Sequence, residues 1–420
     1  MRRLDILFIV EEIYPDVTGG VHTYVYNIAK GLVLRGHKIV VLTRLARPGL
    51  PKQEEIDGFS VYRYGFRNSP FSIIRLISCI LNIKKETDIL MKKRRFDLIN
   101  FHSPQAALGL ALSETAGSTS RVYTFHALLN KEESLTVKAQ KYDWHNWKRY
   151  TKFPWLAVYF LFLKWLDKKA VNSCDKLITL SQFTAKSVRN LYNIDAGKMI
   201  QIPAGVDTGT FKPPRDKNKV KKILKIPKDK KVIFTLRRLV PRMGLGNLIN
   251  AMPSVLRRHP KTMLLVGGDG PLKQHLYDLI KKSNLKDSVK LLGHISQARL
   301  PLYYQAADLF VLPSVGLEGF GLVTLEALSC GVPVLGTPVG GTIEILRKLD
   351  ENLLFKGTGP ESIADLIVTY IGKLDNIRLL NGRCRQFILD NYSWAKSAEK
   401  TEELFLNIFK FKQMNAGKPQ

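Results

Sequence analysis

Cysteine is scarce in this chain. Its four residues, Cys79, Cys174, Cys330 and Cys384, are scattered over 420 positions with no CxxC pair. That excludes a disulfide framework and a thiolate zinc site, and no histidine lies at metal-ligand spacing. Free thiols in a reducing compartment are expected. Long hydrophobic runs are also missing. The longest, WLAVYFLFL (Trp155–Leu163), falls far short of the roughly 20 residues that span a bilayer. The start, MRRLDILFIVEE, carries only a short apolar run before two acids, so no signal peptide is expected and the location should be cytoplasmic. No GxGxxG follows the first apolar run, which argues against Rossmann-type NAD binding.

Acids are in deficit. The chain holds 36 acidic against 65 basic residues, for a net charge of +29. Such an excess calls for an anionic partner: nucleic acid, anionic lipid or a phosphate-bearing small molecule. The deficit is spread evenly, with 31 basic and 17 acidic residues in 1–200 and 34 and 19 beyond. Overall charge therefore gives no domain address, and only local clusters inform.

At 420 residues the chain is too long for one ordinary core, and its 45% hydrophobic content is that of a globular protein. Short apolar runs alternate with amphipathic ones. LDILFIV reads as a buried strand, EEIYPDVTGG as a loop, and Val21 to Arg35 as a helix. RGHKIVVLT closes that helix at Gly36 and enters the next strand, completing a βαβ unit. FDLINFH, RVYTFHA and DKLITLS read as further strand ends. Around Ile202 proline, glycine and lysine break the pattern. Then KKVIFTLRRL, TMLLVGG, VKLLG, DLFVLPS and PVLGTP give a second set of strands, with helices in LGNLINAMPSVLRRH and PLKQHLYDLIKKSN. The fold class is α/β: two doubly wound, Rossmann-like domains, 1–204 and 205–385, facing a central cleft, then a segment 386–420.

The stretch EGFGLVTLEALSCGVPVLGTPVGG places Glu318 in a glycine-rich loop and Glu326 about two turns inside the helix that follows. Their separation would be on the order of 12 Å, close to the span from ribose to sugar in a nucleotide-sugar. The helix start between them offers free N–H groups to a diphosphate. The competing reading is two acids on a solvated helix face.

That glutamate, seven-residue, glutamate element resembles the family 4, or group 1, glycosyltransferases, which have the GT-B fold and retain anomeric configuration. The resemblance runs over nearly the whole chain. It implies that Glu326 holds the ribose, that Glu318 lies near the donor sugar, and that Gly319, Phe320, Gly321 and Leu322 form the loop against sugar and phosphate. TLRRLVPRMGLGNL resembles the family's diphosphate turn, in which an arginine follows the strand and a lysine precedes a glycine. Arg238 matches the arginine. Met243 stands where the lysine belongs, and Arg242 either supplies the missing charge or is merely solvated. VGGDGPL, with Gly268, resembles the Gly-x-Gly-Pro turn, and His294 and Ile295 match the neighbours of the base. In the first domain DVTGGVHTYV resembles the N-terminal glycine loop, so Gly19 and Gly20 would approach the donor phosphate. His126 matches the family position beside the transferred sugar; a satisfied structural histidine is the alternative, and for His102 the favoured one. Ser181 reads as a helix N-cap. YSWAKSAEKTEELF resembles the C-terminal helix that crosses back to the first domain.

The implied reaction is transfer of a hexose from a UDP-, GDP- or ADP-linked donor without cofactor or metal. Two basic stretches suggest the acceptor. SIIRLISCILNIKKETDILMKKRRF carries Lys84, Lys85, Lys92, Lys93, Arg94 and Arg95. KYDWHNWKRYTKFPWLAVYFLFLKWLDKK interleaves Trp144, Trp147 and Trp155 with cations. Both suit peripheral contact with an anionic membrane and a lipid or glycan acceptor. A solvated helix face explains the first equally well, and a packed core helix is favoured for Trp155–Leu166. Rival readings are a nucleotide-sugar epimerase of the same fold and a basic nucleic-acid-binding protein, although no nucleic-acid module is recognisable and none is expected as a partner.

Overall fold

A computed structural model describes residues 2–65, 72–127, 155–316, 318–373 and 378–416. Trp144 and Trp147 fall outside these residues. The described chain divides into two compact units, one formed by 2–127, 155–204 and 394–416, the other by 205–373 and 378–393.

The first unit is built on an eight-stranded sheet. Its strands are β1 (Asp5–Ile9), β2 (Lys38–Arg44), β3 (Gln53–Ile56), β4 (Phe59–Tyr64), β5 (Leu98–Phe101), β6 (Ser120–Phe125), β7 (Lys176–Thr179) and β8 (Met199–Gln201). They lie in the order β3-β4-β2-β1-β5-β6-β7-β8, and every pair is parallel except β3 with β4. The central strands are buried on both faces, which is why they read as unbroken apolar runs and not as alternating ones. The β3–β4 hairpin turns at Asp57 and Gly58, both at positive φ (44° and 85°), the backbone that a tight two-residue hairpin demands.

Helix Gly20–Leu34 buries Tyr24, Val25, Ile28, Ala29 and Leu32, a stripe at helical spacing that faces the sheet. Helix Trp394–Ala416 packs on it. The fit is close: a β-carbon on Gly31 would come within 2.5 Å of the Ala398 methyl. Buried polar groups lock the same joint. His37 accepts the Leu4 amide at Nδ1 (3.1 Å) and meets the Glu402 carboxylate at Nε2 (2.8 Å), while Arg35 pairs with the other Glu402 oxygen.

The second unit carries a five-stranded, fully parallel sheet. Its strands are β9 (Lys231–Leu236), β10 (Thr262–Gly267), β11 (Val289–Gly293), β12 (Leu309–Leu312) and β13 (Val334–Gly336), in the order β11-β10-β9-β12-β13. Its core includes an aromatic cluster in which Phe234, Tyr304 and Phe310 meet with ring centroids 5.2–5.7 Å apart. Chain order reverses between β9 and β12. In open parallel sheets ligands bind beyond the carboxyl ends of the strands at that point.

The Glu402 carboxylate is buried among its partners, and removing one member of a buried ion pair leaves the rest uncompensated. Glu402→Ala should lower stability by about 3 kcal/mol. Exposed Glu403→Ala should change it by less than about 0.5 kcal/mol. Thermal denaturation of the two variants side by side checks this; equal effects would show that the buried joint does not hold the helix.

Candidate active site

β9 and β12 deliver their next residues to the switch point of the second sheet. Arg237 follows β9 directly; Pro313, Ser314 and then Glu318 follow β12. These side chains meet. The Arg237 guanidinium pairs with Glu318 Oε2 and donates to Ser314 Oγ (3.2 Å), and Ser314 in turn donates to Glu318 Oε2 (3.1 Å). Arg237 and Glu318 are both more than nine-tenths buried. Glu318 is tied down through its backbone as well: its carbonyl accepts the Gly341 amide at 2.8 Å.

The helix after this loop runs Leu322–Ser329, so Glu326 is its fifth residue, just over one turn in and not two. The helix starts late because Gly321 caps it at φ 88°, a left-handed conformation in which a β-carbon would also strike Thr342 Oγ1 at 2.5 Å. Phe320 is buried and Leu322 opens the helix; the Glu318 Oε1 oxygen faces Gly321. Glu326 accepts a hydrogen bond from the Tyr304 hydroxyl at 2.6 Å. Burial pushes the Glu326 carboxyl up to about 7, with the Tyr304 hydroxyl opposing the shift.

The other expected groups of this unit fall as follows. Arg238 is exposed, and Arg242 is half-buried in the short turn Pro241–Met243. Met243 is buried, and its sulfur takes two N–H groups of Arg237, from Nη2 at 2.7 Å and from Nε at 3.2 Å. Gly268 has φ 118°, and a β-carbon there would lie 1.9 Å from the Arg237 carbonyl oxygen. Its glycine character is therefore required by the packing of two strand-end loops, whatever else approaches it. His294 is exposed, while Ile295 reaches back to Gly267, where a β-carbon would come within 2.6 Å of its Cδ1.

Arg237 is a site residue that sequence pattern does not single out, since the family motif points to its neighbour. No local sequence signal separates the two: the first arginine of the RR doublet is buried and the second exposed.

In the first unit the loops after β1, β5 and β6 gather several candidates. Gly19 precedes helix Gly20–Leu34, and a β-carbon on it would touch the His22 ring at 3.0 Å. His102 and His126 stack with ring centroids 5.4 Å apart, His102 Nδ1 lying 3.1 Å from His126 Nε2. Tyr24 closes on the His126 ring edge-on at 5.2 Å. Burial, and then the charge of His22, bring His126 down to about 3, so its ring is neutral at physiological pH and serves as a hydrogen-bonding group. Ser181 caps helix Gln182–Tyr192 by accepting the Thr184 amide. A cavity of about 1200 Å³ lies at the opposite edge of this sheet, against Ser120 and Lys176 at the starts of β6 and β7. Among the described residues no group of three or more His, Cys, Asp or Glu could hold a metal ion.

Solved structures share this architecture. Sucrose-phosphate synthase from Thermosynechococcus elongatus superposes with a TM-score of 0.77 at 21% identity, over 97% of this chain and all of that one. Anabaena Alr3699/HepE in complex with UDP-glucose superposes at 0.72 with 19% identity, over 96% and 100%. Both likenesses define the GT-B fold. Two family models match the sequence: Glycosyltransferase Family 4 over residues 18–210 and Glycosyl transferases group 1 over 216–373. The chain belongs to the group 1 glycosyltransferases. Among curated relatives, an uncharacterised glycosyltransferase of Methanocaldococcus jannaschii is 25% identical over 97% of this chain and 98% of its own length. A phosphatidylinositol N-acetylglucosaminyltransferase subunit from Arabidopsis thaliana is 24% identical over 96% and 82%.

The raised Glu326 carboxyl has a pH signature. A group whose folded-state pKa lies above its unfolded value contributes stability at low pH and loses it as pH rises through the folded value. The thermal midpoint should therefore fall more steeply from about pH 5 to about pH 8 in the wild type than in Glu326→Gln. Parallel slopes for the two proteins would rule out this carboxyl as the cause.

Proposed function

We propose that this protein is a retaining hexosyltransferase that takes its sugar from a nucleotide-linked donor and passes it to a lipid or glycan acceptor at an anionic membrane surface. The observation that carries the reading is the disposition of Glu318 and Glu326 about one helix start at the switch point, with Arg237 beside them. In this reading Glu326, already accepting one hydrogen bond, takes the ribose hydroxyls. Glu318, with the loop Gly319, Phe320, Gly321 and Leu322, lies at the sugar. The diphosphate is met by N–H groups at the helix start and by Arg238 and Arg242, which stabilise the negative charge that grows as it leaves. Gly268, His294 and Ile295 line the nucleotide end. For the first unit, the family resemblance assigns Gly19 and Gly20 to phosphate and the His126 ring to a sugar hydroxyl.

The chemistry is a front-face displacement. The bond from the anomeric carbon to the diphosphate oxygen breaks, the bond to the acceptor oxygen forms on the same face, and the acceptor proton passes to the departing phosphate oxygen. Glu318 acts without forming a covalent intermediate. The paired-carboxylate device of retaining hydrolases needs groups ≈ 5–5.5 Å apart, whereas these two acids have separate partners. Cationic side chains and helix ends serve where other transferases use a metal, so activity should survive a chelator.

Two helices of the first unit support a membrane-surface acceptor. Helix Ser72–Lys93 exposes Ile73, Ile77 and Leu81 together with Lys85, Lys92 and Lys93. Helix Trp155–Asn172 exposes Val158, Leu161 and Trp165 beside Lys164 and Lys168, while its Leu163 and Leu166 pack on Leu76 and Ile80. The second helix is thus core on one side and apolar-basic on the other. No helix among the described residues is long and apolar enough to cross a membrane. The Arabidopsis relative, by its name, acts on phosphatidylinositol.

A matched nucleotide-sugar should raise the thermal midpoint, by mass action equivalent to about 2.7 kcal/mol at a hundredfold excess over Kd. Glu326→Ala should abolish that shift. A panel of UDP-, GDP- and ADP-sugars with no shift in the wild type would refute the donor assignment. Label transfer to lipid extract, and not isomerisation of the donor, separates transfer from epimerisation. Co-sedimentation with anionic but not neutral liposomes should be lost in Ile77→Glu/Leu161→Glu; equal pelleting with both liposomes would refute the surface assignment.

A further inference from the structure

The group 1 pattern places a lysine before the glycine of the diphosphate turn, and here that position is Met243. The structure shows what stands in its place. The Arg237 guanidinium lies against the Met243 sulfur, with Nη2 at 2.7 Å and Nε at 3.2 Å, and from there reaches Ser314 and Glu318. All four side chains are buried. A thioether offers a weak acceptor and no charge, so it accommodates a guanidinium. An ammonium group on residue 243 would bring a like charge into the same enclosed space.

We propose that Arg237 and Met243 are a matched pair that occupies the space of the absent lysine, and that Arg237 is the positioning residue for Glu318. The inference rests on the transferase reading above. Nη2 of the guanidinium donates to Glu318 Oε2 and to Ser314 Oγ, and Ser314 donates to the same Glu318 oxygen. That anchors one carboxylate oxygen and leaves Oε1 near Gly321, the start of helix Leu322–Ser329, where the sugar end of the donor is assigned. Met243 seats the guanidinium from behind.

The pair makes a prediction opposite to the intuitive one. Restoring the lysine alone should harm the enzyme. Met243→Lys, Arg237→Ala, the double variant and Arg237→Lys are compared with the wild type for kcat, KM and binding of UDP, GDP and ADP. Met243→Lys should lower kcat at least tenfold despite adding a positive charge. Arg237→Ala should lower kcat at least tenfold while nucleotide affinity stays within threefold, since the ribose end is held by Glu326. Arg237→Ala/Met243→Lys should recover to within a few-fold of the wild type, and Arg237→Lys, which keeps charge but loses the two-nitrogen seat on the Met243 sulfur, should fall between. A Met243→Lys protein as active as the wild type, or a double variant no better than Arg237→Ala, overturns the pair. Variants with lowered thermal midpoints but kcat within twofold overturn the positioning role. A wild type that binds none of the three nucleotides overturns the transferase reading itself, which distinguishes that failure from failure of the pair alone.

Discussion

A buried guanidinium facing a buried carboxylate is costly unless geometry and further hydrogen bonds compensate it. At the ends of β9 and β12 that condition is met in full: Arg237 has Glu318, Ser314 and the Met243 sulfur, and Glu318 has Arg237 and Ser314. Much of the surrounding backbone is fitted to this pair. Gly268 must lack a side chain because the Arg237 carbonyl lies against it, and Gly340 because the Glu318 carbonyl does, with a β-carbon there falling at 2.2 Å. Two loops from neighbouring strands are thus drawn tight on one ion pair, and the helix carrying Glu326 starts where that arrangement lets it.

The two acids of the site live under different rules. Glu318 is held by charge. Glu326 is held by a neutral phenol within the aromatic cluster, and burial raises its carboxyl. The loop before helix Leu322–Ser329 therefore presents a charge-paired carboxylate, and the helix itself a proton-sensitive one just over a turn in. The neutral His126 follows the same physics from the opposite sign, since burial disfavours the imidazolium.

Most strands and the first helices were legible because parallel strands buried on both faces produce uniform apolar runs, and helices with one buried face produce a regular stripe. The hairpin β3–β4 gives no apolar strand signal although Asp57-Gly58 is a recognisable turn pair, because QEEI beside it is polar and lies at a sheet edge. At the candidate site, residue types and spacing single out the segment from Glu318 to Gly341, while side-chain direction does not follow from them. Which of two adjacent arginines turns inward is decided by the pleat of β9, and where a helix begins is decided by one left-handed glycine. The roles of Met243 and Tyr304 depend on contacts 6 and 22 residues away in sequence, which no local pattern records.

The return of the last helix has a bearing on how the chain is made. Residues 205–393 emerge from the ribosome as an uninterrupted stretch and hold every strand of their own sheet. The N-terminal sheet, though synthesised first, waits for Ala398 and Glu402 to cover Gly31 and His37. The half translated second can therefore complete its sheet before the half translated first, and a chain interrupted ahead of Ala398 would hold one finished lobe and one still open along its first helix.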